Sequence, residues 1–290
     1  LFKRISFFIF INILVLITIT TITTILGVPR YIGNAGYLAL LAFSLIAGFS
    51  GALFSLLFSR VMAKWVMRVK VIDPRNPQHD RVNFVLEETH RLAKIAGLKK
   101  MPQVGIYDSV EVNAFATGPS KKRSLVAVSS GMLETMDRHS ISGVLAHEIA
   151  HIKNGDMVTT TLLQGIINTF VIFFSRLVAN IISNFVREEL STLVYYACSI
   201  LFEILFSILS SPIIFWYSRK REFKADQYAA EIGGKDNMIL ALESLRRNIK
   251  LVDNRQKSIA AFKISGKEKF SKLFSTHPPL EQRIERLQSL

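Results

Sequence analysis

The sequence predicts a mainly α-helical membrane protein with about four transmembrane helices and a cytoplasmic α+β domain that carries a small β-sheet. Three observations lead there. Apolar residues gather into four blocks along the 290-residue chain instead of spreading evenly. Lysine and arginine cluster on one side of the first two blocks. The polar sequence between the second and third blocks shows helical periodicity, then the alternation of short strands.

Taken in order, Ile5 to Leu26 contains no charged residue and neither does Ala35 to Phe58, so each can cross a hydrocarbon core of about 30 Å as a helix. The first block has the basic start of a signal peptide. Its apolar core is longer than such segments carry, and no small-residue cleavage site follows, so it is expected to remain as an anchor. A third block runs from about Met157 to Phe185 and a fourth from Leu193 to Tyr217, interrupted by Arg176 and Glu203 respectively. A charge inside a span must snorkel, face protein or be paired, so these two blocks either cross fully or enter and return. Both options bring the chain back to the same side.

Lys3 and Arg4 precede the first span and Arg60, Lys64, Arg68, Lys70 and Arg75 follow the second, whereas Arg30 is the sole basic residue between them. This bias places both termini and the intervening polar region in the cytoplasm. The lone Cys198 excludes an internal disulfide. A formal charge of +14 raises the question of nucleic acid, but no interleaved aromatic platform or known binding motif is present. Anionic lipid headgroups account for the surplus more simply. The expected organisation is therefore a membrane part at 1–59, a cytoplasmic part at 60–156, the third and fourth apolar helices at 157–217 and a second cytoplasmic part at 218–290.

Within the first cytoplasmic part, Asp73-Pro74-Arg75-Asn76-Pro77 reads as a turn, and Val82, Val85, Leu86, Leu92 and Ile95 give a helix ending at Gly97. Gln103 to Tyr107 alternates as a strand, and Val112 to Thr117 leads through Gly118-Pro119 into Ser124 to Ser129 as a hairpin or meander. Asp137 or Ser140 then caps a helix with Ile141, Val144, Leu145, Ile149 and Ile152 at helical spacing, stopped by Asn154-Gly155. Beyond the fourth block the chain continues helically from Ser218 to Ile232 and stops at Gly233-Gly234. A further helix fits Asn237 to Asn248. Lys250 to Lys272 has too little apolar periodicity to place and reads as loop or flap. Thr276-His277-Pro278-Pro279, followed by Leu280, Ile284 and Leu287, fits a helix with proline in its first turn.

The chemistry is concentrated in His147-Glu148-Ile149-Ala150-His151. Two histidines at i and i+4 stand on one helix face, where neutral imidazoles can take two corners of a zinc tetrahedron, and Glu148 beside them can take a proton from the attacking water. Placed beside an apolar stripe, an imidazole pair without a metal would need other polar partners. A catalytic site of this type needs a third protein ligand. Glu222 is the best candidate, with Asp226 on the same helix face at i+4 to accept the second N–H of a ligating histidine. The competing reading of Arg219 to Asp226 is a solvated charged turn after a membrane segment.

The HExxH segment, a distant Glu222 to Asp226 pair in an SRxREFxAD context, Asn113-Ala114-Phe115-Ala116-Thr117-Gly118 upstream and Thr276-His277-Pro278-Pro279 near the end together resemble the HtpX family of membrane metalloproteases. The resemblance covers nearly the whole chain. It implies kinship with the CAAX prenyl proteases and a gluzincin-type zinc metalloprotease domain. It also implies one Zn2+ per chain held by His147, His151 and Glu222, Glu148 as catalytic base, and Asp226 orienting a ligand histidine. Implied with it are a bacterial inner-membrane location and endoproteolysis of misfolded or damaged membrane proteins under stress. His277 resembles a family histidine that stabilises the oxyanion of the tetrahedral intermediate. A plain helix-start histidine is the alternative there. In this light Asn113, Ala114 and Phe115 belong to an edge strand that pairs with an extended substrate backbone, or else to an interior strand of the sheet. Two other classes remain open: a channel or transporter with Arg176 and Glu203 along its path, and a proteolytically inactive zinc-stabilised scaffold. Retention of Glu148 argues against the scaffold, since a structural metal site has no use for a base.

Overall fold

The computed structural model describes residues 36–76, 79–256 and 278–290. The chain divides into two compact units, one containing the described residues up to Leu56 with Thr159–Ile214, the other Leu57–Val158 with Phe215–Leu290. The described elements are α1 (Gly36–Val66), β1 (Lys70–Val71), α2 (Asp80–Ile95), β2 (Gln103–Tyr107), β3 (Ala114–Ser120), β4 (Arg123–Ser129), α3 (Ser130–Thr135), α4 (Arg138–Asn154), α5 (Asp156–Ser183), α6 (Glu188–Gly233), α7 (Lys235–Gln256) and α8 (Leu280–Gln288).

The first unit is helical. Among the described residues three helices, α1, α5 and α6, are long and apolar enough to cross a membrane. The block from Ile5 to Leu26 lies outside the described residues. Along α6, Leu193, Ile200, Ile204, Ile208 and Ile213 are exposed, an apolar row suited to lipid. Inside the unit, Asn168 donates to the Gly48 carbonyl and the Arg176 guanidinium lies 4.6 Å from the centre of the Phe43 ring. The charge that interrupts the third apolar block is thus turned onto an aromatic face of the protein. Glu203 is exposed on α6.

The second unit is built around a four-stranded mixed sheet of order β1-β2-β4-β3. β2 runs parallel to β4, while β1–β2 and β3–β4 are antiparallel. The β3–β4 hairpin reverses at Lys121-Lys122 and not at Gly118-Pro119, where the sequence suggested the turn. A register shift between Thr117 and Ser120 lets β3 carry glycine and proline inside its span, because a bulge relieves the ladder of the missing proline donor. β1 was not expected, since two residues are too few to show alternation. α6 runs without interruption from its apolar stretch through the polar residues to Gly233, and α7 extends past Asn248 into the lysine-dotted stretch as far as Gln256.

Two buried clusters hold this unit together: a larger one with Leu92 of α2, Val126 and Val128 of β4, Met132 of α3, Ile141, Leu145, Ile149 and Ile152 of α4, and Leu242 of α7 all fully or almost fully buried, and a smaller one with Ala63 of α1, Val69, Tyr107 of β2, and Leu125 and Ala127 of β4. α4 is buried on nearly every side, so the burial of its side chains anchors it by about 1.5 to 3 kcal/mol per large aliphatic residue. That rigidity is what a metal or catalytic constellation requires of the element carrying it.

Candidate metal centre

α4 starts and stops where its sequence dictates. The Asp137 carboxylate accepts from the Ser140 N–H at 2.8 Å as N-cap, and Gly155 closes the helix in the left-handed region at φ 75°. Gly143 lies against α7 so closely that a Cβ there would stand 2.2 Å from the Asn237 carbonyl oxygen. Bare backbone on that face lets α7 seat against the helix that carries His147, Glu148 and His151.

The structure brings these residues to Glu222 and Asp226 on α6. The two histidine Nε2 atoms lie 3.0 Å apart, His147 Nε2 is 3.3 Å from Glu222 Oε2, and His151 Nε2 is 3.4 Å from Glu222 Oε1. Zinc bonded to nitrogen and oxygen at about 2.0 to 2.1 Å requires tetrahedral edges of about 3.3 Å. The three donors therefore stand at the spacing a single zinc ion needs, and they are the only His, Cys, Asp and Glu group of this kind among the described residues.

Each imidazole is turned by a carboxylate behind it. His147 Nδ1 is 2.9 Å from Asp226 Oδ1, and His151 Nδ1 is 2.6 Å from Asp156 Oδ2. A carboxylate accepts only, so the proton sits on each Nδ1 and the Nε2 lone pairs point to the shared space by Glu222. Arg283 of α8 completes the layer, donating from Nε to Asp226 Oδ2 at 2.7 Å and from Nη2 to Asp226 Oδ1 at 2.6 Å. Its Nη1 lies 3.8 Å from Glu222 Oε2, and Arg221 Nη2 lies 3.7 Å from Glu222 Oε1.

The electrostatics favour a cation. Burial and the neighbouring His151 oppose protonation of His147, yet hydrogen bonds to Asp226 and Glu222 outweigh them and raise its pKa. Burial likewise opposes protonation of His151, but Asp156, Glu222 and the charge of Glu148 push it up to about 9. Burial works against the charge of Asp226 too, and the bonds from Arg283 and His147 hold it below the usual carboxylate range. The same carboxylate surroundings that draw a proton onto each imidazole would favour a divalent ion in the protons' place. The donor set and its charge fit zinc.

Of the other residues singled out in the sequence, Glu148 is buried on α4 beside the two histidines. Ala114 and Phe115 lie in β3, the edge of the sheet among the described residues, and Asn113 precedes it, its N–H donating to Ser129 Oγ and its carbonyl accepting from the Ser129 N–H. His277 lies outside the described residues. Asp156 and Arg283 were missed. Asp156 is the one acid opening an otherwise apolar block, five residues after His151. Arg283 falls between Leu280 and Ile284 on the apolar stripe of α8, where a charge needs a buried partner. Both signals were readable.

A model of peptidase family M48 matches residues 80–290. The chain belongs to that family. Among curated M48-type relatives, the Protease HtpX homolog of Bacillus subtilis (strain 168) is 52% identical over 296 residues, covering 99% of each chain. Protease HtpX of Tolumonas auensis is 44% identical over 294 residues, again covering 99% of each. The crystal structure of S. mikatae Ste24p shares the fold with a TM-score of 0.67 at 17% identity; the match covers 98% of this chain and 66% of that one. This M48 protein is accordingly a membrane metalloprotease, with a mostly helical fold like that of Ste24p. The transporter and inactive-scaffold readings are not favoured.

Proposed function

We propose that the protein is a zinc-dependent endopeptidase of the bacterial inner membrane that cleaves misfolded or damaged membrane proteins in quality control and stress response. The observation that carries this is the convergence of two imidazoles and one buried carboxylate at tetrahedral-edge spacing, in a chain of a peptidase family. His147, His151 and Glu222 would hold one zinc ion. When bound, that ion supplies Lewis acidity, polarising the scissile carbonyl and acidifying the attacking water.

The chain's own residues do the rest. Glu148 takes the proton of the attacking water and delivers it to the leaving amine. Asp226 and Asp156 keep the imidazoles in one tautomer and one orientation. An extended substrate segment pairs along the sheet edge that β3 forms among the described residues, in the stretch Asn113, Ala114 and Phe115, a mode that relies on backbone and so tolerates varied side chains. His277 donates to the oxyanion. The positive-inside bias supports a cytoplasmic site and cytoplasmic termini, with 60–156 and 218–290 forming the protease domain and 1–59 and 157–217 the four spans.

The test compares two glutamates in protein purified with the same metal supply. Glu148→Gln is expected to keep its zinc and fold and to lose nearly all casein cleavage, because an amide cannot accept the proton. Glu222→Gln is expected to lose zinc and activity together. An active Glu148→Gln protein would sink the mechanism, and full zinc occupancy in Glu222→Gln would move the third ligand elsewhere.

A further inference from the structure

The second unit contains a cavity of about 230 Å³ lined by Leu57, Arg60, Val61 and Lys64 of α1 with Pro119 and Arg123 of the β3–β4 hairpin. Three of the six lining residues are cations and none is acidic. Among the described residues, Arg60, Lys64 and Arg123 take part in no ion pair. Arg60 donates from Nη2 to Gln103 Oε1, while its Nε is buried with no hydrogen-bond partner. Three like charges around one cavity, one of them with a buried orphan donor, are costly unless an anion joins them.

The other half of the wall says which anion. Leu57 and Val61 are exposed at 62% and 56%, one helical turn apart on α1. Arg60 stands two residues beyond the uncharged run Ala35 to Phe58. With α1 read as a membrane span, the cavity lies at the level where the apolar stretch gives way to headgroups, with cations for a phosphate and aliphatic side chains for the glycerol and first acyl carbons. Guanidinium groups suit phosphate oxygens, which accept two parallel bonds from one fork.

We propose that this cavity binds the phosphate headgroup of an anionic phospholipid. Pro119 and Arg123 lie on either side of the β3–β4 reversal, so an occupied cavity ties that hairpin to the end of α1. The inference rests on the membrane reading of α1 and makes no use of peptidase activity, so lipid is counted directly.

The full-length protein in detergent is mixed with phosphatidylglycerol or with phosphatidylcholine, and bound lipid is measured by native mass spectrometry. Wild type is expected to retain phosphatidylglycerol in preference. The Lys64→Gln/Arg123→Gln double variant, which leaves the Arg60–Gln103 contact in place, and the triple variant that adds Arg60→Gln should lose it in graded fashion, the triple by roughly tenfold or more. Lys94→Gln/Lys99→Gln/Lys100→Gln removes the same charge at exposed positions elsewhere and should bind as wild type. Equal loss in that control, or no loss in the double variant with an unchanged melting temperature, overturns the proposal. So does displacement by millimolar inorganic phosphate, which would make this a free-phosphate site. Retained lipid with a selective loss of acidic peptide cleavage would make it a substrate pocket and overturn it equally.

Discussion

Arg283 holds both carboxylate oxygens of Asp226, at 2.7 and 2.6 Å, although the two lie 57 positions apart in the chain. Asp226 Oδ1 also accepts from His147 Nδ1, so the C-terminal helix α8 is tied through one carboxylate to a proposed metal ligand.

Both partners are almost fully buried, and removing one leaves the other charge uncompensated. Arg283→Met is expected to cost about 3 to 5 kcal/mol in stability, and the Arg283→Met/Asp226→Leu double variant to recover much of that loss. Thermal unfolding of the three proteins in one detergent measures it. Zinc affinity should stay low in the double variant, because His147 has lost its orienting carboxylate; restored affinity would deny Asp226 that role.

Asp156→Asn should lower zinc affinity about 10- to 100-fold, the usual effect of removing the carboxylate behind a ligating imidazole. Its contact with His151 Nδ1 at 2.6 Å motivates this. Activity titrated against added zinc should recover at high metal. A variant that stays inactive at saturating zinc would give Asp156 a different task.

Gly143→Ala places a methyl group where the Asn237 carbonyl oxygen already sits. Backbone on both sides cannot yield easily, and a cost of about 1 to 3 kcal/mol is expected from the forced separation of α4 and α7. An unchanged melting temperature would show that this helix pair is looser than its packing suggests.

Acid should weaken the protein partly through Glu88. Burial opposes its charge, but bonds from Arg91 at 2.7 Å and from Ser142 at 2.5 Å prevail and hold its pKa below the usual carboxylate range. A depressed carboxylate contributes stability that is complete above the unfolded pKa and is lost as pH falls through the folded one. Glu88→Gln should therefore be less stable than wild type at pH 7, with the difference shrinking below about pH 4.5. Melting temperatures from pH 7 downward test this, and a constant difference would exclude the linkage.

Much of the candidate site was legible because its parts are local. An i, i+4 spacing puts His147 and His151 on one face of α4, and the same spacing pairs Glu222 with Asp226 on α6, whatever the rest of the chain does. Asp137 and Gly155 announce the ends of α4 by their own chemistry. The uncharged run Ala35 to Phe58 announces a membrane-compatible helix through length and composition alone. The edge position of β3 was one of two open readings, and only the pairing order of the sheet chose between them.

By itself, then, the sequence determined the periodic elements, the apolar blocks and the kinds of donor available for a metal, since these depend on residues within a few positions of one another. Tertiary structure decided which groups meet: Asp156 behind His151 and Asp226 behind His147, Arg283 across from both Asp226 and Glu222, and β2 parallel to β4. Those meetings depend on how the larger buried core seats α2, α4, α7 and the sheet together. Core packing is a sum over many contacts distant in the chain, and helical or strand periodicity carries no record of it.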